Sequence, residues 1–411
     1  MEIISAHDRE IIRGIAGIWA EQAASDGMTR LKKQWLDHNM RRGARPMVTL
    51  ETWTFAGDVI PQLQKCRGEE ARNIEKSLWN TLINVLYFKD DTVLEPYFPL
   101  GYGASFTPFG IKVEIDKTDG LGHHFREKIT DLEKDFHLFQ GHEISANKKG
   151  TDDRAAFLNG LFGDILPVKI TGGGRVASLT QNLVHIMSME TMFMSMYDYP
   201  DLFKQIMDKL SDGYIELFRF MEKEKLLRPT TGGERVAQGT YAFTTELPRK
   251  DNPVTRETWG YMDSQETVNV SPEMYGEFIF PYYLKVAKEF GLLSYGCCEP
   301  VNPYWKDISR FPNLRKVSIS PWCDEDIMGE RLAGSDIIYH RKPSPNFLGV
   351  GKTLEEDSFR RHIKKTVRAA KNCALEFTQR DVYTVNSDIS KCARYIEIVR
   401  EEIDCEAGFK K

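Results

Sequence analysis

The sequence predicts an α/β fold built around a parallel sheet, and three observations lead to this prediction. Strand-like apolar runs alternate with long amphipathic helices along most of the chain, which favours crossover connections over a helix bundle or a β-sandwich. The length of 411 residues suits either two domains or one large α/β barrel with insertions. Polar or reactive residues directly follow several of the apolar runs. We therefore expect a functional site at the carboxyl ends of the strands.

The predicted elements follow one another most regularly in the second half of the chain. Ser271 as N-cap and Pro272 at the first helical position predict a helix that Pro281 should kink. Thr353 is a candidate cap for a later helix whose first turn is acidic. The predicted helices cover about 7–38, 273–290 and 354–371, and the predicted strands cover 47–53, 168–174, 292–295, 314–320, 336–340 and 375–385.

Composition and charge exclude several classes of protein. A net charge of −5 and a pI of about 6.1 provide no overall positive field, so nucleic acid is not expected as the main partner. The N-terminal residues do not resemble a secretory signal, and no window of about 20 apolar residues predicts a membrane span. Seven cysteines, two of them adjacent, argue against a disulfide framework. We therefore expect a protein of the reducing cytoplasm.

The segment 294–300 is the strongest candidate for chemistry. Cys297, Cys298 and Glu299 follow a predicted buried strand, and Cys323 ends the next strand. These residues could bind a metal, or they could provide a thiolate beside a general acid. The alternative is that the cysteines are small buried hydrophobic residues.

Aromatic and polar residues around the predicted strands indicate a pocket for a planar or bulky ligand. Arg380 could bind a substrate carboxylate, although a buried ion pair with Asp381 or Glu376 is equally compatible with the sequence. Each aromatic residue taken alone could equally be part of the core. The candidate substrate-binding residues are Tyr241, Phe243, Glu246, Trp259, Tyr261, Gln265, Trp322 and Arg380.

The run from Trp259 to Pro345 resembles the uroporphyrinogen decarboxylase superfamily, and more closely the methyltransferases of corrinoid-dependent demethylation systems. The resemblance is carried by the segments 265–266, 270–275, 295–300 and 317–322, and extends more weakly over most of the chain. It implies a (β/α)8 TIM barrel with an N-terminal helical extension and insertions. We accordingly predict one domain over 1–411, with the extension at 1–46 and the barrel at 47–411.

The chain departs from two motifs of this superfamily. The Arg-Gln-Ala-Gly-Arg signature of the decarboxylases is absent, since residues 41–45 read Arg-Arg-Gly-Ala-Arg. Relatives that methylate coenzyme M carry a zinc-binding His-x-Cys motif where residues 295–297 read Tyr-Gly-Cys. Zinc therefore stays an open candidate, with Cys297, Cys298, Glu299 and Cys323 as its predicted ligands.

The resulting hypothesis is a methyltransferase that moves a methyl group from a small donor, a methoxylated aromatic compound, to the Co(I) of a separate corrinoid protein. An ether oxygen is a poor leaving group, so Glu299 or Tyr295 would protonate it, or a bound metal would act as Lewis acid. Two rivals are a lyase acting on a tetrapyrrole and a non-catalytic member that binds a corrinoid or a metal. No membrane partner is expected, and a homodimer is compatible with the sequence.

Overall fold

The computed structural model describes residues 4–43, 45–117 and 123–407. The predicted domain 1–411 therefore includes short stretches outside the described residues. Two helices precede the first strand, and the boundary of the extension at 1–46 stays a prediction. Ser5 and Ser25 cap them by accepting hydrogen bonds from the backbone amides of Asp8 and Met28, both at 3.1 Å.

The chain alternates between helices and short strands. The helices are α1 Ala6–Ala24, α2 Asp26–Asn39, α3 Ala56–Val59, α4 Glu69–Ile83, α5 Leu132–Asp135, α6 Lys148–Phe162, α7 Leu179–Val184, α8 Met189–Asp198, α9 Pro200–Lys223, α10 Pro272–Met274, α11 Phe280–Ala287, α12 Trp305–Ile308, α13 Glu325–Leu332, α14 Asn346–Gly349, α15 Glu356–Ala369 and α16 Ile389–Ala407. The strands are β1 Met47–Leu50, β2 Phe98–Gly101, β3 Ser105–Thr107, β4 Ile115–Lys117, β5 His123–Phe125, β6 Glu143–Ser145, β7 Val168–Thr171, β8 Arg175–Ala177, β9 Trp259–Met262, β10 Leu292–Tyr295, β11 Leu314–Ile319, β12 Ile338–Arg341 and β13 Leu375–Gln379.

Seven strands form one parallel sheet in the order β1-β13-β12-β11-β10-β9-β8. The predicted α/β class with a parallel central sheet is therefore confirmed. β2 pairs with β7 in a separate parallel pair, while β3 with β6 and β4 with β5 form antiparallel pairs. Within the described ranges, β1 and β8 are the two end strands of this sheet and are not paired with each other.

The predicted kink at Pro281 is confirmed, and the predicted cap at Thr353 is wrong. The helix expected over 273–290 consists of α10, a π-helical turn over Tyr275–Ile279, and α11. Proline lacks an amide hydrogen, so it is tolerated in the first turn of α11. The later helix begins at Glu356, and its N-cap residue, Glu355, makes no side-chain capping bond.

A polar cluster is buried near the amino ends of the central strands. We call it the inner cluster: Lys316, Glu376, His38 and His340. The Glu376 carboxylate lies 3.0 Å from Lys316 Nζ, 3.1 Å from His38 Nε2 and 3.2 Å from His340 Nδ1. His38 comes from α2, so this cluster joins the N-terminal helices to the sheet.

Residues 234–242, which we call the inner loop, pack against the same face of the sheet. Thr240 Oγ1 accepts a hydrogen bond from Lys316 at 2.6 Å, and Gly239 O accepts one from Thr49 at 3.3 Å. Gly239 has φ +81°, and a Cβ at this position would lie 2.4 Å from Thr378 Cγ2. Only glycine fits this approach without displacing the strand.

Candidate active site

Six side chains meet just beyond the carboxyl ends of the sheet, where parallel α/β folds place their functional sites. We call this group the edge cluster. Its members follow β9, β10, β12 and β13, so each is positioned by the strand that precedes it. They are Asp263, Cys297, Cys298, Glu299, Lys342 and Arg380.

Cys297 is the most strongly contacted thiol of the edge cluster. Its Sγ lies 3.6 Å from Cys298 Sγ and accepts hydrogen bonds from Arg380 Nη1 at 3.3 Å and from Gln238 Nε2 at 3.4 Å. The hydrogen bond with Cys298, together with the charges of Arg380 and Lys342, lowers the pKa of Cys297 against the effect of burial. The same contact and burial raise the pKa of Cys298. Cys297 is therefore the thiolate of the pair.

Glu299 is fully buried, yet backbone amides satisfy both of its carboxyl oxygens. Oε1 accepts from the amide of Ser264 at 2.9 Å, and Oε2 accepts from the amide of Cys297 at 2.8 Å. Burial, together with the nearby negative charges of Asp263 and Cys297, raises the pKa of Glu299 to about 8. The protonated form of Glu299 is thus favoured more than in an ordinary glutamate.

Asp263 is a second carboxyl group with a raised pKa. Its Oδ2 accepts a hydrogen bond from the hydroxyl of Tyr261 at 3.0 Å, while Oδ1 is buried and has no hydrogen-bond partner among the described residues. Burial and the negative charge of Cys297 raise its pKa to about 7. Burial beside another negative charge thus favours the protonated form of Asp263 more than in an ordinary aspartate.

Positive charges balance the other side of the cluster. Arg380 Nε donates to Glu51 at 3.0 Å, and Arg380 Nη2 lies 3.4 Å from Asp381. Burial, reinforced by the charge of Arg380, lowers the pKa of Lys342 to about 8. Of the alternatives for Arg380, the structure selects the ion pair with Asp381 and adds Glu51, whereas Glu376 belongs to the inner cluster. Arg380 is therefore paired within the protein, and its role in binding a substrate carboxylate stays a prediction.

A cleft of about 580 Å³ opens beside the edge cluster. Trp322 is 74 % exposed and stands on its rim. The cleft brings together four predicted site residues from three loops. They are Gln265, Cys298, Glu299 and Trp322.

Tyr295, predicted as a proton donor, points away from this cleft. It lies in register with Met262 and Val317, and its ring packs 5.2 Å from that of Phe311 on the helix-covered side of the sheet. Its hydroxyl makes 2.7 Å hydrogen bonds with Ser264 and Tyr275. Because alternate residues of a strand face opposite sides, the structure does not bring Tyr295 to the cleft, and its catalytic role stays a prediction.

Four predicted substrate-binding residues lie near the amino ends of the strands instead. Trp259 is the first residue of β9, and its indole nitrogen donates to the carbonyl of Ala242 at 3.0 Å. Glu246 pairs with Arg315 through two contacts of 2.7 Å near the start of β11. These four residues are not brought to the cleft, and their role in substrate binding stays a prediction. They are Tyr241, Phe243, Glu246 and Trp259.

Tyr261 does reach the edge cluster. Its ring starts from β9, and its hydroxyl accepts a hydrogen bond from Gln238 Nε2 at 2.7 Å while donating to Asp263. It is buried, so it positions polar groups instead of stacking on a ligand in the cleft.

The four predicted metal ligands do not converge. Cys323 Sγ accepts from the amide of Val301 at 3.4 Å and lies 3.9 Å from the backbone oxygen of Glu299, while the Glu299 carboxyl group is held by backbone amides. Within residues 4–43, 45–117 and 123–407, no group of three or more His, Cys, Asp or Glu side chains is arranged to hold a metal ion. As placed, Cys297, Cys298, Glu299 and Cys323 do not form such a group, and their role as zinc ligands stays a prediction.

The sequence interpretation missed Asp263, Lys342 and Gln238 as members of the site. Asp263 and Lys342 directly follow strands, and this position was the signal that could have identified them. Gln238 gave no such signal, because it enters the site from the inner loop. Its Oε1 accepts from Lys342 Nζ at 2.8 Å, so it links the amine to the thiolate of Cys297.

Comparison with solved structures shows what the fold resembles. A methyltransferase from Methanosarcina mazei matches with a TM-score of 0.51 and 12 % sequence identity, over 91 % of this chain and 98 % of that chain. The two proteins therefore share a fold over nearly their full lengths. No protein-family model and no curated protein matches the sequence. None of the helices in the described ranges is long and apolar enough to cross a membrane.

Proposed function

We propose that this protein is a methyltransferase of the uroporphyrinogen decarboxylase superfamily with a (β/α)8 barrel fold. It would move a methyl group from a small methylated compound, a methoxylated aromatic, to the Co(I) of a separate corrinoid protein. Support comes from the seven-stranded parallel sheet, from the fold shared with a methyltransferase, and from the place of the edge cluster beyond the strand ends.

The protonated carboxyl groups of Glu299 and Asp263 carry this proposal. When the methyl group leaves an ether oxygen for the cobalt, the carbon–oxygen bond breaks and the oxygen keeps its electron pair. A proton delivered to that oxygen turns a poor leaving group into an alcohol or phenol. Raised pKa values of about 8 for Glu299 and about 7 for Asp263 favour protonated forms that could donate to the leaving oxygen.

The cleft supplies the other requirements of such a reaction. Its volume of about 580 Å³ suits a single-ring compound. Trp322 offers an aromatic face at the rim, and Gln265 offers an amide that can orient a polar substituent. The open side of the cleft leaves room for the corrinoid protein to present its cofactor. Free thiols at Cys297 and Cys298 fit a reducing cytoplasm as the compartment.

The test is to mix the purified protein with reduced cobalamin, alone and bound to the corrinoid protein, and with a panel of methoxylated aromatics and N-methyl compounds. We expect the absorbance change from Co(I) to the methylated cofactor with methoxylated aromatics. A Glu273→Gln variant on the exposed start of α10 provides a control carboxyl-to-amide change and should keep the rate. If no compound of the panel methylates the cobalt, the proposal is contradicted. If only N-methyl compounds do so, the proposed donor class of methoxylated aromatics is contradicted.

A further inference from the structure

The adjacent thiols of Cys297 and Cys298 form an unusual pair within the edge cluster. Adjacent residues of an extended strand point their side chains to opposite sides. Here the two sulfur atoms lie only 3.6 Å apart, because the pair lies beyond β10 and follows Gly296 with φ +97°. The two thiols are therefore close enough to react with each other after a small side-chain movement.

The two thiols are not equivalent. Arg380 and Gln238 both donate to Cys297 Sγ, while Cys298 Sγ lies 3.7 Å from the Asp381 carboxylate. Positive and donor groups thus surround one sulfur, and a negative group faces the other. This asymmetry resembles that of peroxide-reactive thiol pairs, in which one cysteine attacks and its neighbour resolves.

The pair can also be reached from solvent. Cys298 is partly exposed and lines the 580 Å³ cleft, and the sulfur of the buried Cys297 lies 3.6 Å from its sulfur. By contrast, Cys392 and Cys66 are buried, and burial raises the pKa of each thiol. Small oxidants therefore meet the pair in preference to the interior cysteines.

We propose that Cys297 and Cys298 form a reversible oxidation site, in which a hydroperoxide converts the two thiols into a disulfide between adjacent residues. The sulfur of Cys297 attacks the peroxide, the oxygen–oxygen bond breaks, and the peroxide leaves as water or an alcohol. Cys297 becomes a sulfenic acid and has lost two electrons to the peroxide. The thiol of Cys298 then loses its proton and attacks the Cys297 sulfur, and hydroxide leaves with that proton as water.

Oxidation would change the charge of the site. The disulfide removes the negative charge that Arg380 and Lys342 face, so the hydrogen bonds from Arg380 and Gln238 to the Cys297 sulfur are weakened. A disulfide between neighbouring residues is also strained, and strained disulfides are readily reduced. The site would therefore be switched off by peroxide and restored by a dithiol, whatever reaction it performs.

The experiment uses the full-length reduced protein and a few equivalents of hydrogen peroxide. Free thiols are then alkylated, and mass spectrometry measures the mass of the tryptic peptide 289–306, which contains both cysteines. We expect this peptide to escape alkylation and to be lighter by two hydrogen atoms, with recovery by dithiothreitol. The exposed Cys405 is the internal reference, and we expect Cys297 to react about tenfold faster, because Arg380 and Gln238 donate to its sulfur and stabilise the reactive thiolate.

Two variants separate the roles. Cys298→Ser should leave a sulfenic acid on Cys297 that dimedone traps, whereas Cys297→Ser should leave Cys298 alkylated after peroxide. Full alkylation of both thiols in the wild type, or reaction of Cys297 no faster than Cys405, overturns the proposal. The mass measurement does not depend on methyl transfer. It therefore tests the oxidation site even if no compound of the methyl-donor panel reacts.

Discussion

The inner cluster and the edge cluster are both buried groups of charges on the same sheet, but they are completed in different ways. In the inner cluster the Glu376 carboxylate contacts Lys316, His38 and His340, and these positive or polar groups hold its pKa well below its usual range despite burial. In the edge cluster, burial and the negative charges of neighbouring groups instead raise the pKa values of Asp263 and Glu299.

This difference separates a structural charge cluster from a reactive one. A buried carboxylate that faces a cation stays ionised, whereas burial next to other negative charges raises the pKa of a carboxyl group. The inner cluster is closed by α2, while the edge cluster borders an open cleft. Burial of a carboxyl group alone therefore does not indicate function. The charges of the groups around that carboxyl group do.

The largest effect is expected from Glu299→Gln. This change removes the proposed proton donor while an amide keeps the shape of the side chain, and loss of general acid catalysis lowers rates by about 10²- to 10⁴-fold. The single-turnover rate of methyl transfer measures it, with donor binding measured separately by calorimetry. Full activity would remove Glu299 from the mechanism and leave Asp263 as the donor.

Glu376→Gln is expected to act on stability. It leaves Lys316 buried without its carboxylate, which costs about 3–5 kcal/mol of unfolding free energy. Glu246→Gln is the matched control, because its pair with Arg315 is partly exposed and such pairs contribute about 1 kcal/mol or less. Urea unfolding of both variants tests this contrast, and equal losses would contradict the distinction between closed and exposed ion pairs.

The strands and the reactive segment could be predicted from the sequence because their signals are local. The predicted strand 292–295 agrees with β10, and Cys297 to Glu299 follow it as expected. The strand predicted over 375–385 ends at Gln379 instead, because the chain turns at Asp381 with φ +59°. Hydrophobic runs alone do not mark such a turn.

The face of each side chain could not be predicted with the same success. Trp259 and Tyr261 read alike in the sequence, but they lie at different heights on β9, and only Tyr261 reaches the edge cluster. Tyr295 is separated from Glu299 by three residues, yet it faces the helices. The contact between Gln238 and Cys297 joins residues 59 positions apart, so no local sequence pattern predicts it.

A smaller effect is expected from pH. The raised pKa values of Asp263 and Glu299 mean that both acids lose their protons between about pH 7 and 8 as a coupled pair. The methyl-transfer rate should therefore be constant at lower pH and fall about tenfold per pH unit above this range. In Asp263→Asn we expect the decline to follow Glu299 alone, and a rate that rises with pH would contradict the acid role.

The smallest effect is expected from Tyr295→Phe. The hydroxyl bonds with Ser264 and Tyr275 are lost, which lowers the unfolding free energy by about 1–2 kcal/mol. Because the ring faces the helices, the methyl-transfer rate should stay within about threefold of the wild type. Thermal unfolding and the rate assay together test this, and a rate loss as large as that of Glu299→Gln would restore Tyr295 as a proton donor.

The inner loop has a consequence for anyone who wishes to redesign this protein. Gln238 binds the thiolate of the edge cluster, and Thr240, two residues later, binds Lys316 of the inner cluster. The inner loop thus contacts both clusters, and its length sets the spacing between the edge cluster and the inner cluster. Substitutions meant to change the range of substrates should therefore be made at the exposed residues Trp322 and Met189. An inserted residue between 238 and 240 would disturb both the reactivity of the edge cluster and the folding of the protein.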